Sequence, residues 1–276
     1  MKALEEIVSL ALSEDLGDSG DITSQAVIPA GTKGAAVIIA MEACTMSGMA
    51  AGAECCHQID PNLTWLPLVE DSQTVPVGAQ VARLEGEMRS ILAAERTIIN
   101  FISHLSGIAT LTGRFNAAVE GNKVRIAATR KTSPGMRLLE KQAVADGGGE
   151  THRRGLYDAL LIKDNHIAAA GSVAATVERA RQALGDDMAI EVEVDTREQL
   201  EEVLESGAGR ALLDNMSPDE VRACVRLAAG RLLIEVSGGI NLANVRDYAE
   251  AGAQIISTGA LTMSAPPIDF SLEITQ

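Results

Sequence analysis

The apolar and polar positions divide this chain into two stretches of different character. From residue 124 onward, short apolar runs rich in β-branched residues recur at 124–130, 159–164, 189–195, 211–214, 232–239 and 255–260. Between most of them lie segments with helical periodicity, at 172–184, 196–205, 217–229 and 241–251. These open on capping residues (Ser172, Thr196, Ser217, Asn241), and "SPDE" has the form of a capping box, in which the Ser and Glu side chains each satisfy a backbone N–H. Glycine follows the periodic segment in "ESGAG" and "EAGAQ", where a helix is expected to stop. Strand then helix, repeated about every twenty residues, predicts parallel β/α units. Six strands without a Gly-rich dinucleotide turn after the first favour a β/α barrel, incomplete at that count, over an open doubly wound sheet.

The first hundred residues follow another pattern. Residues 1–17 mix acids with apolar positions, as an amphipathic helix does and a secretion signal does not. Residues 75–86 read as strand, turn, strand, with Pro76 and Gly78 at the turn. Residues 90–115 predict one long helix or a helix pair. The expected organisation is therefore α/β overall. An N-terminal α/β domain spans 1–106 and is rejoined by 265–276, beside a β/α barrel domain at 107–264.

Composition narrows this picture. Hydrophobic residues make up 46% of the 276 positions but aromatics only 2%, so the cores must be aliphatic. A formal charge of -15 argues against nucleic acid or an anionic membrane as the main partner. No apolar run reaches the roughly 18 residues needed to span a bilayer. Cys44, Cys55, Cys56 and Cys224 show neither disulfide nor zinc spacing, and the expected location is the reducing cytoplasm.

Against that acidic background, the segment 123–166 holds nine Lys/Arg and five Asp/Glu. A solvated surface has no need of such a reversal, whereas a site for anions does. In a β/α barrel, chemistry sits at the C-terminal ends of the strands. Those ends carry Arg130 and Lys131, then Lys163 and Asp164, then Glu193 and Asp195, then Asp214; the last two end in "SGG" (237–239) and "STGA" (257–260). Glycine turns after late barrel strands expose backbone N–H groups to a phosphate. Glu193 and Asp214 are candidate ligands for Mg²⁺, which is held by one or two carboxylates while phosphates fill its other positions. Glu191, Glu193 and Asp195 share one strand face and would repel one another unless cations opposed them. Arg130, His152, Arg153 and Lys163 exceed the needs of one phosphate and imply an anionic organic substrate besides. Arg137, Lys141 and Arg154 read as structural or solvated.

In this order, "EDLGDSGDIT", "ERTIINFISHLSGIAT", "TRKTSPGMRLLEKQAVADGGGETHRRGL", "LIKDNH", "IEVEVD", "LDNM", "VSGGI" and "ISTGALT" resemble the quinolinate phosphoribosyltransferase family over nearly the whole chain. The resemblance implies an N-terminal α/β sandwich and an incomplete, seven-stranded β/α barrel. It implies transfer from 5-phosphoribosyl-1-pyrophosphate, with Mg²⁺, to quinolinate, giving nicotinate mononucleotide, pyrophosphate and CO₂ in de novo NAD synthesis. Carried over by motif, Arg130, His152, Arg153 and Lys163 would surround the quinolinate carboxylates and Thr129 would hydrogen-bond the substrate. Arg96 would reach the site of the opposite subunit in a dimer, or in an assembly of dimers. Lys131, Glu193 and Asp214 would handle ribose, pyrophosphate and Mg²⁺, and Ser237, Gly238, Gly239 and Gly259 the 5′-phosphate. Ala128 and Met263 stand where the family often has an acid and a histidine, and "EKQAV" replaces "EKYAV". Three other readings compete: a molybdenum-uptake-associated paralogue with a different acceptor, a barrel lyase using Lys163 as a Schiff-base nucleophile, and a nucleotide-binding regulator without turnover.

Overall fold

The computed structural model describes residues 2–185 and 188–275. The chain divides into two compact units, Met1–Gly113 with Thr132–Gly148 and Thr262–Gln276, and Arg114–Lys131 with Gly149–Leu261.

In the first unit, the strands β1 (Lys33–Ala40), β3 (Thr64–Pro67), β5 (Gln80–Glu87) and β12 (Phe270–Thr275) form an antiparallel sheet in the order β12-β1-β5-β3. A separate antiparallel pair joins β2 (Cys44–Thr45) to β4 (Thr74–Val75). The turn read at Pro76 and Gly78 is therefore present, but it carries the chain from one sheet into another. Helices α1 (Lys2–Leu16), α2 (Ile22–Val27), α3 (Met49–Ile59) and α5 (Arg137–Asp146) belong to this unit. The segment read as a long helix or a helix pair is one continuous helix, α4 (Met88–Ala118). Its buried Ile91, Ile98 and Ile102 join Ile38 and Leu84 of the sheet in one aliphatic core.

The grouping of 132–148 with this unit follows from packing. Gly147 lies so close to α4 that an added Cβ would meet the Ala109 carbonyl oxygen at 2.3 Å. Buried Glu140 bonds His104 of α4. Tertiary contacts, not chain order, decide where α5 belongs.

The second unit holds the six expected strands, all parallel: β6 (Arg125–Ala127), β7 (Leu160–Ile162), β8 (Ile190–Val194), β9 (Arg210–Asp214), β10 (Leu233–Ser237) and β11 (Ile255–Ser257). Their order is β6-β11-β10-β9-β8-β7, and a single parallel bridge, Ala127 to Glu150, adds a vestigial seventh position beside β6. The run of strands in chain order around the sheet is that of an incomplete barrel. Buried Val192, Val194, Leu213, Ile234 and Val236 explain why these strands read as apolar runs rather than alternating ones.

Short helices α6 (Asp164–Ala170), α7 (Val173–Leu184), α8 (Arg197–Ser206), α9 (Pro218–Ala228), α10 (Val245–Glu250) and α11 (Ala260–Met263) follow the strands. Ser172, Thr196 and Ser217 cap α7, α8 and α9 as expected, the last two in full capping boxes. Asn241 does not cap α10. Its Oδ1 accepts from Ala243 N at 2.9 Å in a preceding turn, and the helix starts later, at Val245. No helix among the described residues is long and apolar enough to cross a membrane.

Candidate active site

A cavity of about 340 Å³ opens at the C-terminal ends of the barrel strands. It gathers Thr129, Arg130 and Lys131 after β6, His152 and Arg153 after the Glu150 bridge, Lys163 after β7, Glu193 of β8, Asp214 of β9 and Ser237 of β10. Parallel strands place all these residues at one edge of the sheet, so residues far apart in sequence meet there. Gly238, Gly239 and Gly259 continue the chain just beyond the lining residues Ser237 and Ser257. Arg96 is exposed on α4, in the other unit.

The cations and acids of the cavity oppose one another directly. Lys163 Nζ bonds Glu193 Oε2. Burial lowers the Arg153 guanidinium from its ordinary range, and the Arg130 charge lowers it further. Asp214 is raised, first by burial and then by Asp195, while Lys163 and Lys131 oppose the shift. A second cavity of about 340 Å³, in the N-terminal unit, is lined by Glu14 and Asp15 but by no Lys or Arg, and so does not suit an anion.

The glycine turns have steric reasons. Gly238 has φ +98°, and a Cβ there would lie 2.2 Å from Asn215 Oδ1. Asn215 has φ +56°, donates from Nδ2 to Asp214 Oδ2 at 2.7 Å, and donates its backbone N–H to the Ser237 carbonyl at 2.9 Å. It therefore ties the end of β9 to the turn after β10. A Cβ at Gly259 would lie 2.9 Å from Lys131 Cδ, so the missing side chain leaves room for that lysine.

A largely buried polar cluster forms part of the cavity wall through His152 and Glu235. His152 Nε2 is 3.2 Å from Glu235 Oε2 and 3.5 Å from Glu191 Oε2, and Nδ1 accepts the Arg153 N–H at 2.8 Å. Burial opposes charge on the ring, but its hydrogen bonds to Glu191 and Glu235 outweigh burial and raise its pKa to about 9. Glu191 Oε1 and Glu235 Oε1 are buried without a hydrogen-bond partner among the described residues. Two of the three acids predicted to share a face of β8 are opposed, Glu193 by Lys163 and Glu191 by His152, whereas Asp195 lies near Asp214 and raises it. Sequence reasoning passed over Glu235 and Asn215. The signal for Glu235 was present, an acid inside the apolar run "LLIEVS".

The donor set for a divalent metal is Glu193 and Asp214, on the paired strands β8 and β9. A half-buried carboxylate raised by desolvation and then by a neighbouring acid gains from a cation, and two carboxylates with substrate phosphates are what Mg²⁺ takes. The residues fit.

Comparison with known proteins agrees with this arrangement. A family model described as quinolinate phosphoribosyl transferase, N-terminal domain, matches residues 21–106, and its C-terminal counterpart matches 108–273. A probable nicotinate-nucleotide pyrophosphorylase (carboxylating) of Bacillus subtilis is 38% identical over 272 residues, covering 99% of this chain and 93% of that protein. One from Methanothermobacter thermautotrophicus is 40% identical over 280 residues, covering 98% of each. The solved nicotinate-nucleotide pyrophosphorylase of Francisella tularensis superposes with a TM-score of 0.95 at 38% identity, covering 99% of this chain and 96% of that one.

Proposed function

The chain belongs to the quinolinate phosphoribosyl transferase family, and on that premise we propose that it transfers phosphoribose from 5-phosphoribosyl-1-pyrophosphate to the ring nitrogen of quinolinate. The products are pyrophosphate, CO₂ and nicotinate mononucleotide, a step of de novo NAD synthesis in the cytoplasm. The observation that carries this reading is the meeting of Arg130, Arg153 and Lys163 with Glu193 and Asp214 in one cavity.

Quinolinate is a dianion, and the paired guanidiniums of Arg130 and Arg153 with Lys163 supply opposing charge and bidentate geometry. Thr129 adds a hydrogen bond. Displacement of pyrophosphate builds positive charge on the ribose, which Glu193 and Asp214 stabilise, while Lys131 takes up charge on the leaving group. Mg²⁺, held by Glu193 and Asp214 with the donor phosphates, would supply further screening of the pyrophosphate. Ser237, Gly238, Gly239 and Gly259 seat the 5′-phosphate. The N-ribosylated pyridinium is then an electron sink for loss of the 2-carboxylate. The working unit in this reading is a homodimer or an assembly of dimers, with Arg96 delivered to the partner's site. Pairing of Lys163 with Glu193 tells against a free-amine Schiff-base lyase.

The test is incubation with quinolinate, phosphoribosyl pyrophosphate and Mg²⁺, following nicotinate mononucleotide. Turnover is expected with quinolinate and not with nicotinate; the reverse preference would refute the proposal. Arg130→Ala and Lys163→Ala should weaken quinolinate binding without unfolding the protein. Mixed dimers of Arg96→Ala and Lys163→Ala subunits should recover activity that neither has alone.

A further inference from the structure

In the proposed reaction the donor is held at two places. Asp214, at the end of β9, faces the ribose and pyrophosphate, and the turn 237–239 after β10 faces the 5′-phosphate. One residue bonds to both places. Asn215 follows Asp214 in the chain, and its Nδ2 donates to Asp214 Oδ2 at 2.7 Å. Its backbone N–H donates to the Ser237 carbonyl at 2.9 Å. A Cβ on Gly238 would collide with its Oδ1, so the turn closes over this amide only because residue 238 is glycine.

Charge fixes which way the amide faces. Turned over, it would set Oδ1 against a carboxylate oxygen, whereas Nδ2 in that place makes a charge-assisted hydrogen bond. The backbone is fixed as well. Asn215 has φ +56°, a left-handed conformation that asparagine adopts more readily than most residues. With its N–H tied to β10, the residue cannot swing freely, and its amide is placed in advance even though Asn215 is exposed.

Asp214 has need of such a guide. It is half-buried among charges that pull in different directions: Asp195 repels it, while Lys163 and Lys131 attract it. The last torsion of an aspartate side chain is broad, so a carboxylate without a tether would spread over several orientations there. With Oδ2 engaged by Asn215, Oδ1 is the oxygen left for the donor.

We propose that Asn215 is a positioning residue for donor binding: braced by the turn after β10, its amide holds the Asp214 carboxylate so that one oxygen is presented to the ribose and pyrophosphate. It thereby couples the pyrophosphate end of the donor site to the 5′-phosphate end. This inference rests on the reading of Asp214 and the 237–239 turn as parts of that site.

Calorimetric titration with Mg²⁺ and phosphoribosyl pyrophosphate, without acceptor, tests it, and titration with quinolinate alone is the counterpart. Asn215→Gly keeps the positive φ and the N–H to Ser237 and removes only the amide. It should weaken donor binding about tenfold. None of the contacts above involves Arg130, Arg153 or Lys163, so quinolinate binding should stay within about twofold of wild type. Asn215→Asp keeps the shape and tolerates the φ but sets an oxygen against Asp214, and should weaken donor binding further than Gly does. With quinolinate saturating, KM for the donor should rise in the same order, with a smaller change in kcat. No loss with Gly, donor affinity with Asp equal to that of wild type, or equal loss of donor and quinolinate affinity would overturn the assignment. A crystal structure of the wild-type protein with Mg²⁺ and phosphoribosyl pyrophosphate decides it even if the variants fail to fold. Asp214 Oδ2 is expected to stay on Asn215 Nδ2 while Oδ1 faces the donor; Oδ2 released from Asn215 to the donor or the cation would defeat the proposal. Wild type that binds no donor would fell the proposed reaction and this inference with it, whereas donor binding insensitive to residue 215 fells the inference alone.

Discussion

Two histidine–glutamate clusters with buried carboxylates, one in each unit, invite comparison. In the N-terminal unit, His104 Nε2 meets Glu140 Oε1 at 2.8 Å, and Glu140 Oε2 accepts the Ser133 N–H at 3.1 Å. Every oxygen of that fully buried carboxylate is used. In the barrel unit, one ring serves two buried carboxylates, each keeping an oxygen without a partner among the described residues, and the histidine backbone is strained. The first cluster is a closed structural joint that pins the 133 turn and α5 to α4. The second is left unsatisfied, as buried polar groups are where a fold gives up stability to hold a site. Burial of acids is thus not itself the mark of a site; incomplete pairing is.

The same substitution at both glutamates puts that contrast to work. Glu140→Leu strands the Ser133 N–H and the His104 ring, and should cost about 3 kcal/mol in denaturant unfolding. Glu235→Leu removes one of two crowded carboxylates, and its thermal midpoint should hold near that of wild type, while KM for quinolinate rises about tenfold. Loss of stability at Glu235 as large as at Glu140 would erase the distinction. A smaller effect is expected at Ser47, whose hydroxyl donates to Asp146 Oδ2 at 2.6 Å in the N-terminal unit. Ser47→Ala should cost about 1 kcal/mol in stability and leave KM untouched.

The smallest effect concerns Asp71, which accepts the Met49 N–H at 3.1 Å and is raised in pKa, mainly by burial and further by Asp146, against its backbone hydrogen bonds. A carboxyl raised in the fold binds its proton more tightly folded than unfolded. Its contribution is therefore favourable at low pH and lost as pH rises above the ordinary carboxyl range. Asp71→Asn keeps an acceptor for Met49, so it should stabilise the protein at pH 7 by about 0.5 kcal/mol, partly screened by solvent, and lose that advantage near pH 3. Thermal melts at the two pH values decide it.

Much of the barrel was legible because its logic is local. Capping residues, glycine stops and apolar runs are written in consecutive residues, and six strand–helix alternations could be read from them. The strand-end residues were legible for a related reason. Once strands are parallel, their C-terminal ends share an edge, so Arg130, Lys163, Glu193 and Asp214 had to meet. Asn241 shows where local reading fails: it had the chemistry of a cap but spent it on the turn before α10. The strands flanking Pro76 were also recognisable, but not their separation into two sheets, since pairing partners lie far away in sequence. Glu235 and Asn215 went unassigned because their roles exist only toward neighbours on other strands.

The order of strands and helices, the aliphatic nature of the cores and the charge reversal around 123–166 are properties of consecutive residues, and the chain alone determined them. The attachment of α5 to the N-terminal unit, the closing of Glu140 upon His104 and the ring of His152 turned between a backbone N–H and two carboxylates were decided only by the tertiary structure. Hydrogen bonds and burial act over about 3 Å in space, and no spacing in sequence encodes which distant side chain will arrive at that distance.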